Sequence, residues 1–133
     1  MNAYSTDFSL PALASGLPAV QAALARAAGE FGLSEADAAR LALLVEELYV
    51  NTITHGQCAD GSSAVDILLR RDADGVHLRY SDAAAAFDLA ASPCPTADDE
   101  SAIGGLGITL IHGLCRHVSA RHVDGRNIYE LVL

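Results

Sequence analysis

Two Asp-Gly dipeptides, each between two runs of alternating apolar and polar residues, restrict most strongly what this chain can fold into. The first dipeptide is Asp74-Gly75 and the second is Asp124-Gly125. Asp-Gly between alternating runs is a strong local signal of a β-hairpin, because both residues tolerate the backbone angles of a tight turn. Two antiparallel hairpins are therefore predicted. Their strands are 65–70 with 76–81, and 118–123 with 127–133.

The segments outside the hairpins are mostly helical in periodicity. A short edge strand, Tyr4–Leu10, is predicted to stop at Pro11. Three helices are expected at 17–31, with Gly32 as the stop, at about 35–54 behind the N-cap Ser34, and at about 108–117. Residues 83–103 have little periodicity and are expected to form a connection with a short helical turn at its start.

This order of elements predicts an α+β two-layer sandwich. Its sheet would be mixed but mostly antiparallel, with about five strands, and the three helices would pack on one face. A length of 133 residues fits a single domain spanning 1–133, with one substantial core.

Composition excludes several classes of function. A net charge of −9 repels phosphates, so direct binding of nucleic acid is disfavoured. No apolar run reaches the roughly 18 residues of a membrane span, and no secretory signal is visible, so the cytoplasm is the expected location. The cysteines Cys58, Cys94 and Cys115 lack CxxC spacing, which favours reduced thiols over a metal or redox site.

A polar stripe runs along the predicted second helix. Glu47, Asn51 and His55 are spaced i, i+4 and i+8, so they stack on one side of the helix. A carboxylate and a carboxamide facing the same space can hold a hard cation and its water, and the carboxylate can act as a general base. On its own, such a stripe is more typical of a solvated helix flank.

A glycine-rich segment, Gly104-Gly105-Leu106-Gly107, opens the predicted third helix, and Thr109 adds a hydroxyl in its first turn. Glycines allow close approach of a ligand, and the free N–H groups of a helix start attract anions such as phosphates. Taken alone, the same segment is also typical of a helix cap and hinge.

An acidic residue, Asp82, ends the predicted strand before an apolar stretch that includes Ala84 and Phe87. Its carboxylate could accept a hydrogen bond from an exocyclic amine such as that of adenine, with the apolar residues packing the ring. Taken alone, it is also compatible with an ordinary turn residue.

Together, in this order, the three segments resemble the nucleotide-binding boxes of the gyrase, histidine-kinase and MutL ATPases, whose fold is the Bergerat type. The segment 47–56 resembles the N box in the form found in anti-sigma-factor serine kinases: Glu, three residues, Asn, three residues, His-Gly. The segments 81–88 and 105–109 resemble the adenine-side G1 box and the phosphate-side G2 box. The resemblance covers essentially the whole chain.

The resemblance implies ATP or ADP and Mg²⁺ as cofactors. It implies that Asn51 ligates magnesium, that Glu47 is the general base and that Asp82 binds adenine. The rest of the implied nucleotide site consists of His55, Ala84, Phe87, Gly104, Gly105, Leu106, Gly107 and Thr109. It further implies serine-kinase activity toward a small antagonist protein, a sigma factor as the alternative partner, no membrane partner, and a chain able to form a homodimer.

The sequence also departs from this pattern. Ala84 and Ala86 stand where glycines are usual in the G1 box, and Ile103, behind three acidic residues, stands where kinases often have a basic residue. A second hypothesis is therefore a protein-interaction module with a degenerate nucleotide site. The ATP domain of a two-component histidine kinase is disfavoured, because no phosphoacceptor segment precedes the first strand.

Overall fold

A computed structural model describes residues 4–55, 60–83 and 111–133. Within them the sheet has five strands in the order β1-β2-β3-β5-β4, and every neighbouring pair is antiparallel. This confirms the predicted α+β class, with antiparallel pairing throughout these strands. The elements are β1 (Tyr4–Leu13), a 3₁₀ turn (Ala14–Gly16), α1 (Leu17–Phe31), α2 (Glu35–His55), β2 (Asp60–Asp72), β3 (Gly75–Asp82), α3 (111–114), β4 (His117–Val123) and β5 (Arg126–Val132).

Both predicted hairpins form. The loop of the second is Asp124-Gly125, whereas the loop of the first is Ala73-Asp74, with Gly75 as the first residue of β3. The pairing closes at Asp72 with Gly75 in one hairpin and at Val123 with Arg126 in the other. In the second turn Asp124 has φ 53° and Gly125 has φ 77°. Positive φ at both central residues is the requirement of a type I′ turn, whose twist matches that of the strands it joins.

The boundary between α1 and α2 follows the predicted capping chemistry. Gly32 ends α1 in the left-handed region at φ 64°, and the Arg71 guanidinium donates to the carbonyl groups of Phe31 and Gly32. Two residues after Gly32, the Ser34 hydroxyl accepts a hydrogen bond from the backbone N–H of Asp37 at 3.1 Å. Each of these helix ends thus has capping hydrogen bonds to backbone groups that lack a partner within the helix.

The core lies between the helices and one face of the sheet. Each strand of the inner hairpin buries alternate residues, and α1 and α2 bury the apolar face that periodicity predicted. No helix in the described ranges is long and apolar enough to cross a bilayer. The largest fully buried side chains are Tyr49, Tyr80, Leu41, Leu44, Leu48, Ile67, Leu69, Leu78, Ile111 and Leu131.

Three predicted boundaries were wrong. β2 begins at Asp60 rather than at residue 65, because its pairing with β1 continues as far as Leu13. β1 continues through Pro11 to Leu13, because it is an edge strand and a missing N–H on its open side breaks no ladder bond. The third helix does not continue to His117. The backbone N–H of Arg116 already donates to the carbonyl of Val132 at 2.7 Å, and His117 is the first residue of β4.

The end of β1 is fastened to α2 by one buried phenol. Tyr49 donates toward the carbonyl groups of Pro11, at 2.9 Å, and Leu13, at 2.6 Å. Its oxygen also accepts from the N–H of Leu13 at 3.2 Å, and the packing is so close that a Cβ on Gly16 would lie 2.4 Å from it.

Replacing Tyr49 with Phe is expected to lower the free energy of unfolding by about 1–3 kcal/mol, because buried backbone groups lose their partner while the ring volume is retained. Urea denaturation followed by circular dichroism measures the change. Tyr4→Phe is the matched control, since Tyr4 is exposed and should lose less than about 0.5 kcal/mol. Equal stability of Tyr49→Phe and the control would contradict this anchoring role.

Candidate functional site

A small polar cluster lies inside the otherwise apolar core. In the described parts of the chain, the buried polar side chains are Thr52 on α2, Asp82 at the end of β3 and Asn127 near the start of β5. Their exposed fractions are 5%, 3% and 1%. Polar groups are costly to bury without partners, so this cluster must be internally satisfied or must serve a ligand.

Asp82 is held on both carboxylate oxygens. The Thr52 hydroxyl donates to Oδ2 at 2.6 Å, and the Asn127 amide donates from Nδ2 to Oδ1 at 2.9 Å. Each oxygen of an ionised carboxylate can accept more than one hydrogen bond, so contacts with two donors do not limit Asp82 to those two. A carboxylate fixed in this way is suited to recognise an amine group.

A buried phenol sets the direction of the Thr52 hydrogen bond. The Tyr80 hydroxyl lies 2.6 Å from Thr52 Oγ1. Burial raises the pKa of Tyr80 far above its usual range, and the negative charge of Asp82 adds to this rise, so the phenol stays protonated and can donate. If Tyr80 donates to Thr52, the single hydroxyl hydrogen of Thr52 is free to point to Asp82, with the Leu48 carbonyl as a secondary acceptor at 3.0 Å.

Two of the predicted site residues lie on the helix that contacts this cluster through Thr52. Glu47 and Asn51 are both half-buried on α2, and Asn51 directly precedes Thr52, which contacts Asp82. The metal-side helix and the predicted adenine-side carboxylate therefore meet at one place. His55 is the last residue of α2.

The other predicted site residues lie outside the described part of the chain. They are Ala84 and Phe87 of the adenine-side segment and Gly104, Gly105, Leu106, Gly107 and Thr109 of the phosphate-side segment. Of the predicted connection 83–103, the structure describes Ala83 alone.

Asn51 has a buried amide nitrogen that is available to a ligand. Its Nδ2 atom is buried and has no hydrogen-bond partner among the described residues, whereas buried amides are normally paired. The described residues contain no group of three or more His, Cys, Asp or Glu side chains able to hold a metal. The unpaired Nδ2 is a donor, which suits an acceptor such as a phosphate oxygen. The carbonyl oxygen of the same amide and the Glu47 carboxylate are the ligand types that magnesium takes together with phosphates and water, so the pair fits a Mg-nucleotide site.

Sequence reasoning missed the residues that hold Asp82. Thr52 follows the apolar periodicity of its helix and Tyr80 the inward phase of its strand, and neither pattern indicates a role in the site. Asn127 carried a readable signal, because it shares the inward phase of its strand with Tyr129 and Leu131. A polar residue in the buried phase of a strand calls for a buried partner.

The chain belongs to the histidine kinase-like ATPase domain family, because the sequence model of that family matches residues 10–133. This family membership agrees with the sheet, the helices on one face and the meeting of α2 with the end of β3. No curated protein matches the chain by sequence.

Two solved structures share the fold. One is the crystal structure of the RsbU and RsbW domains of Rv1364c from Mycobacterium tuberculosis, with a TM-score of 0.70 and 18% identity; it covers 96% of this chain, which spans 31% of that chain. The other is the SiaB–SiaC complex from Pseudomonas aeruginosa, with a TM-score of 0.57 and 19% identity, covering 95% of this chain and 87% of that one.

Proposed function

We propose that this protein is an ATP-binding regulator of the anti-sigma-factor type that acts as a Mg-ATP-dependent serine protein kinase on an antagonist protein. One observation carries the proposal. Thr52, on the helix that bears Glu47 and Asn51, donates to the buried carboxylate of Asp82 at 2.6 Å. The helix that carries the proposed metal-side residues therefore also holds the carboxylate proposed to bind the purine amine.

Each group has a distinct task in this proposal. Asp82 accepts a hydrogen bond from the exocyclic amine of adenine, and the Asn51 carbonyl oxygen ligates magnesium. Magnesium, when bound with ATP, neutralises the charge of the phosphates. Glu47, one turn before Asn51 on the same helix stripe, accepts the proton of the attacking seryl hydroxyl. The remaining requirement of phosphoryl transfer is positioning, which a rigid α2 supplies.

The proposed partners are proteins. One structural neighbour contains RsbU and RsbW domains and the other is a complex of SiaB with SiaC, so each of the two structures contains a second protein unit. A switch between an antagonist protein and a sigma factor is the form of partner exchange that we propose for this chain. The net charge of −9 favours a protein partner over nucleic acid.

Phosphoryl transfer tests the proposal. The purified chain is incubated with γ-labelled ATP, magnesium and small antagonist proteins encoded beside its gene, and the label is followed by gel and by mass spectrometry. We expect label on one serine of one antagonist, dependent on magnesium. Saturable ATP binding without transfer to any of them would contradict the kinase activity. The proposal of a nucleotide-binding regulator would then stand alone.

A second candidate function is a protein-interaction module without nucleotide, and Ala84 is the observation that favours it. If position 84 needs a positive φ, alanine costs on the order of 1 kcal/mol, or somewhat under tenfold in affinity. This module predicts that the parent chain binds neither ATP nor ADP at millimolar concentration, and that Ala84→Gly restores binding.

Calorimetry with both nucleotides decides between the two functions, and Ala85→Gly is the matched control for added backbone freedom. Under the kinase proposal the parent chain binds MgATP, and Ala84→Gly tightens binding by at most about tenfold. If the parent chain binds neither nucleotide and the Ala84→Gly variant binds one, the protein-interaction module is the correct function.

A further inference from the structure

We infer that His122, on the edge strand β4, is a positioning residue for adenine recognition. Its ring nitrogen Nδ1 fixes the orientation of the Asn127 amide, and this amide in turn holds the Asp82 carboxylate. The inference rests on the proposed function, because Asp82 is the adenine-binding group of that proposal.

The three residues form one row across the sheet. Asp82 on β3 is the register partner of Asn127 on β5, and Asn127 is the register partner of His122 on β4. The Asn127 amide bridges the row: Nδ2 lies 2.9 Å from Asp82 Oδ1, and Oδ1 lies 3.2 Å from His122 Nδ1. Register partners on adjacent antiparallel strands are close enough for their side chains to contact.

The chemistry of the three groups fixes the direction of every bond. An ionised carboxylate only accepts, so Asn127 must face Asp82 with its donor Nδ2. The acceptor Oδ1 of the same amide then faces His122, and the imidazole must donate to it from Nδ1–H. The neutral ring is therefore held in its Nδ1–H tautomer.

Burial makes the orientation of Asn127 consequential. Asn127 is 1% exposed, whereas His122 is exposed. A rotated amide would set its oxygen against a carboxylate oxygen where solvent cannot intervene, which is strongly unfavourable. His122 is thus the outer end of a chain of hydrogen bonds whose inner end is the ligand-recognising oxygen of Asp82.

A matched pair of substitutions separates this role from simple packing. The side-chain amide nitrogen of Asn lies at about the same distance from the backbone as the Nδ1 atom of His, so His122→Asn keeps a donor at that place. His122→Asp is nearly the same size but, when ionised, only accepts. It therefore favours the rotated amide and displaces the Asp82 carboxylate from its productive position.

The experiment measures the affinity of each variant for MgATP and for MgITP, whose base carries a carbonyl oxygen where adenine carries its amine. We expect the unaltered chain and His122→Asn to prefer ATP. His122→Asp should lose about tenfold of that preference, the value of one hydrogen bond to a charged group. The added charge acts on both nucleotides alike, so it cancels in the ratio.

Val123→Asp is the control for charge on the same strand, because Val123 is exposed at the neighbouring position. It should leave the preference for ATP unchanged. A parent that prefers ATP, with His122→Asp preferring it equally, would overturn the role of His122 and leave the proposed function intact. A parent that binds neither nucleotide would overturn both.

The tautomer gives a readout that does not depend on nucleotide. Long-range proton–nitrogen NMR of the labelled chain should show neutral His122 protonated on Nδ1. A ring protonated on Nε2 would overturn the inference without bearing on ATP binding, because that ring could not donate to Asn127.

Discussion

Replacing Glu47 with Gln is expected to slow phosphoryl transfer by about 10²- to 10⁴-fold, the usual contribution of a positioned general base. The amide keeps the size of the side chain but cannot accept the seryl proton. Affinity for MgATP should change by less than about threefold, because the proposed contacts with adenine and magnesium are made by Asp82 and Asn51. Single-turnover transfer to the antagonist measures the rate, and calorimetry measures the affinity.

The matched control is Glu46→Gln. Glu46 is the adjacent glutamate on α2 and is also half-buried, but it lies about 100° away around the helix from Glu47. Its substitution removes the same charge and should leave the transfer rate close to that of the parent. Equal rates for both variants and the parent would show that Glu47 is not the base.

The second large effect is expected at Thr52. Replacing it with Val keeps the shape but removes the hydroxyl that lies between Tyr80 and Asp82. A buried phenol and a buried carboxylate oxygen then lose their shared partner, and the free energy of unfolding should fall by about 2–5 kcal/mol. MgATP should also bind at least about tenfold more weakly, because Asp82 loses the donor that holds its Oδ2 atom.

Thr52→Ser is the conservative counterpart. It retains the hydroxyl and loses one buried methyl, which should cost about 1 kcal/mol. Urea denaturation of the two variants separates the contribution of the hydrogen bonds from that of packing. Equal stability of Thr52→Val and Thr52→Ser would contradict the view that the hydroxyl satisfies the buried cluster.

The parts of the fold that the sequence specified were those with strong local chemistry. The Asp-Gly turns, the glycine stop at Gly32 and the cap at Ser34 each encode a backbone geometry within a few residues. Periodicity predicted α1 with its observed bounds, Leu17–Phe31, and predicted the end of α2 to within one residue. Pro11 misled the prediction because its effect on a strand depends on whether that strand lies at the sheet edge, which is a property of the whole topology.

Some residues of the candidate site could likewise be predicted from local sequence, and others could not. The spacing of Glu47 and Asn51 could be read along one helix, and Asp82 from its place at a strand end. Thr52 and Asn127 could not be linked to Asp82 in advance, because they lie 30 and 45 residues from it in sequence. Their contacts depend on the packing of α2 against the sheet and on the register of β5 with β3.

The measurement that tests the central claim most directly is the proton–nitrogen NMR spectrum of the labelled chain during titration with MgATP. We predict saturable shifts of the side-chain amides of Asn51 and Asn127 and of the backbone N–H of Asp82, with little change at His77 and Arg79 on the opposite side of the sheet. No shifts, or shifts confined to that opposite side, would contradict a nucleotide site between α2 and the end of β3.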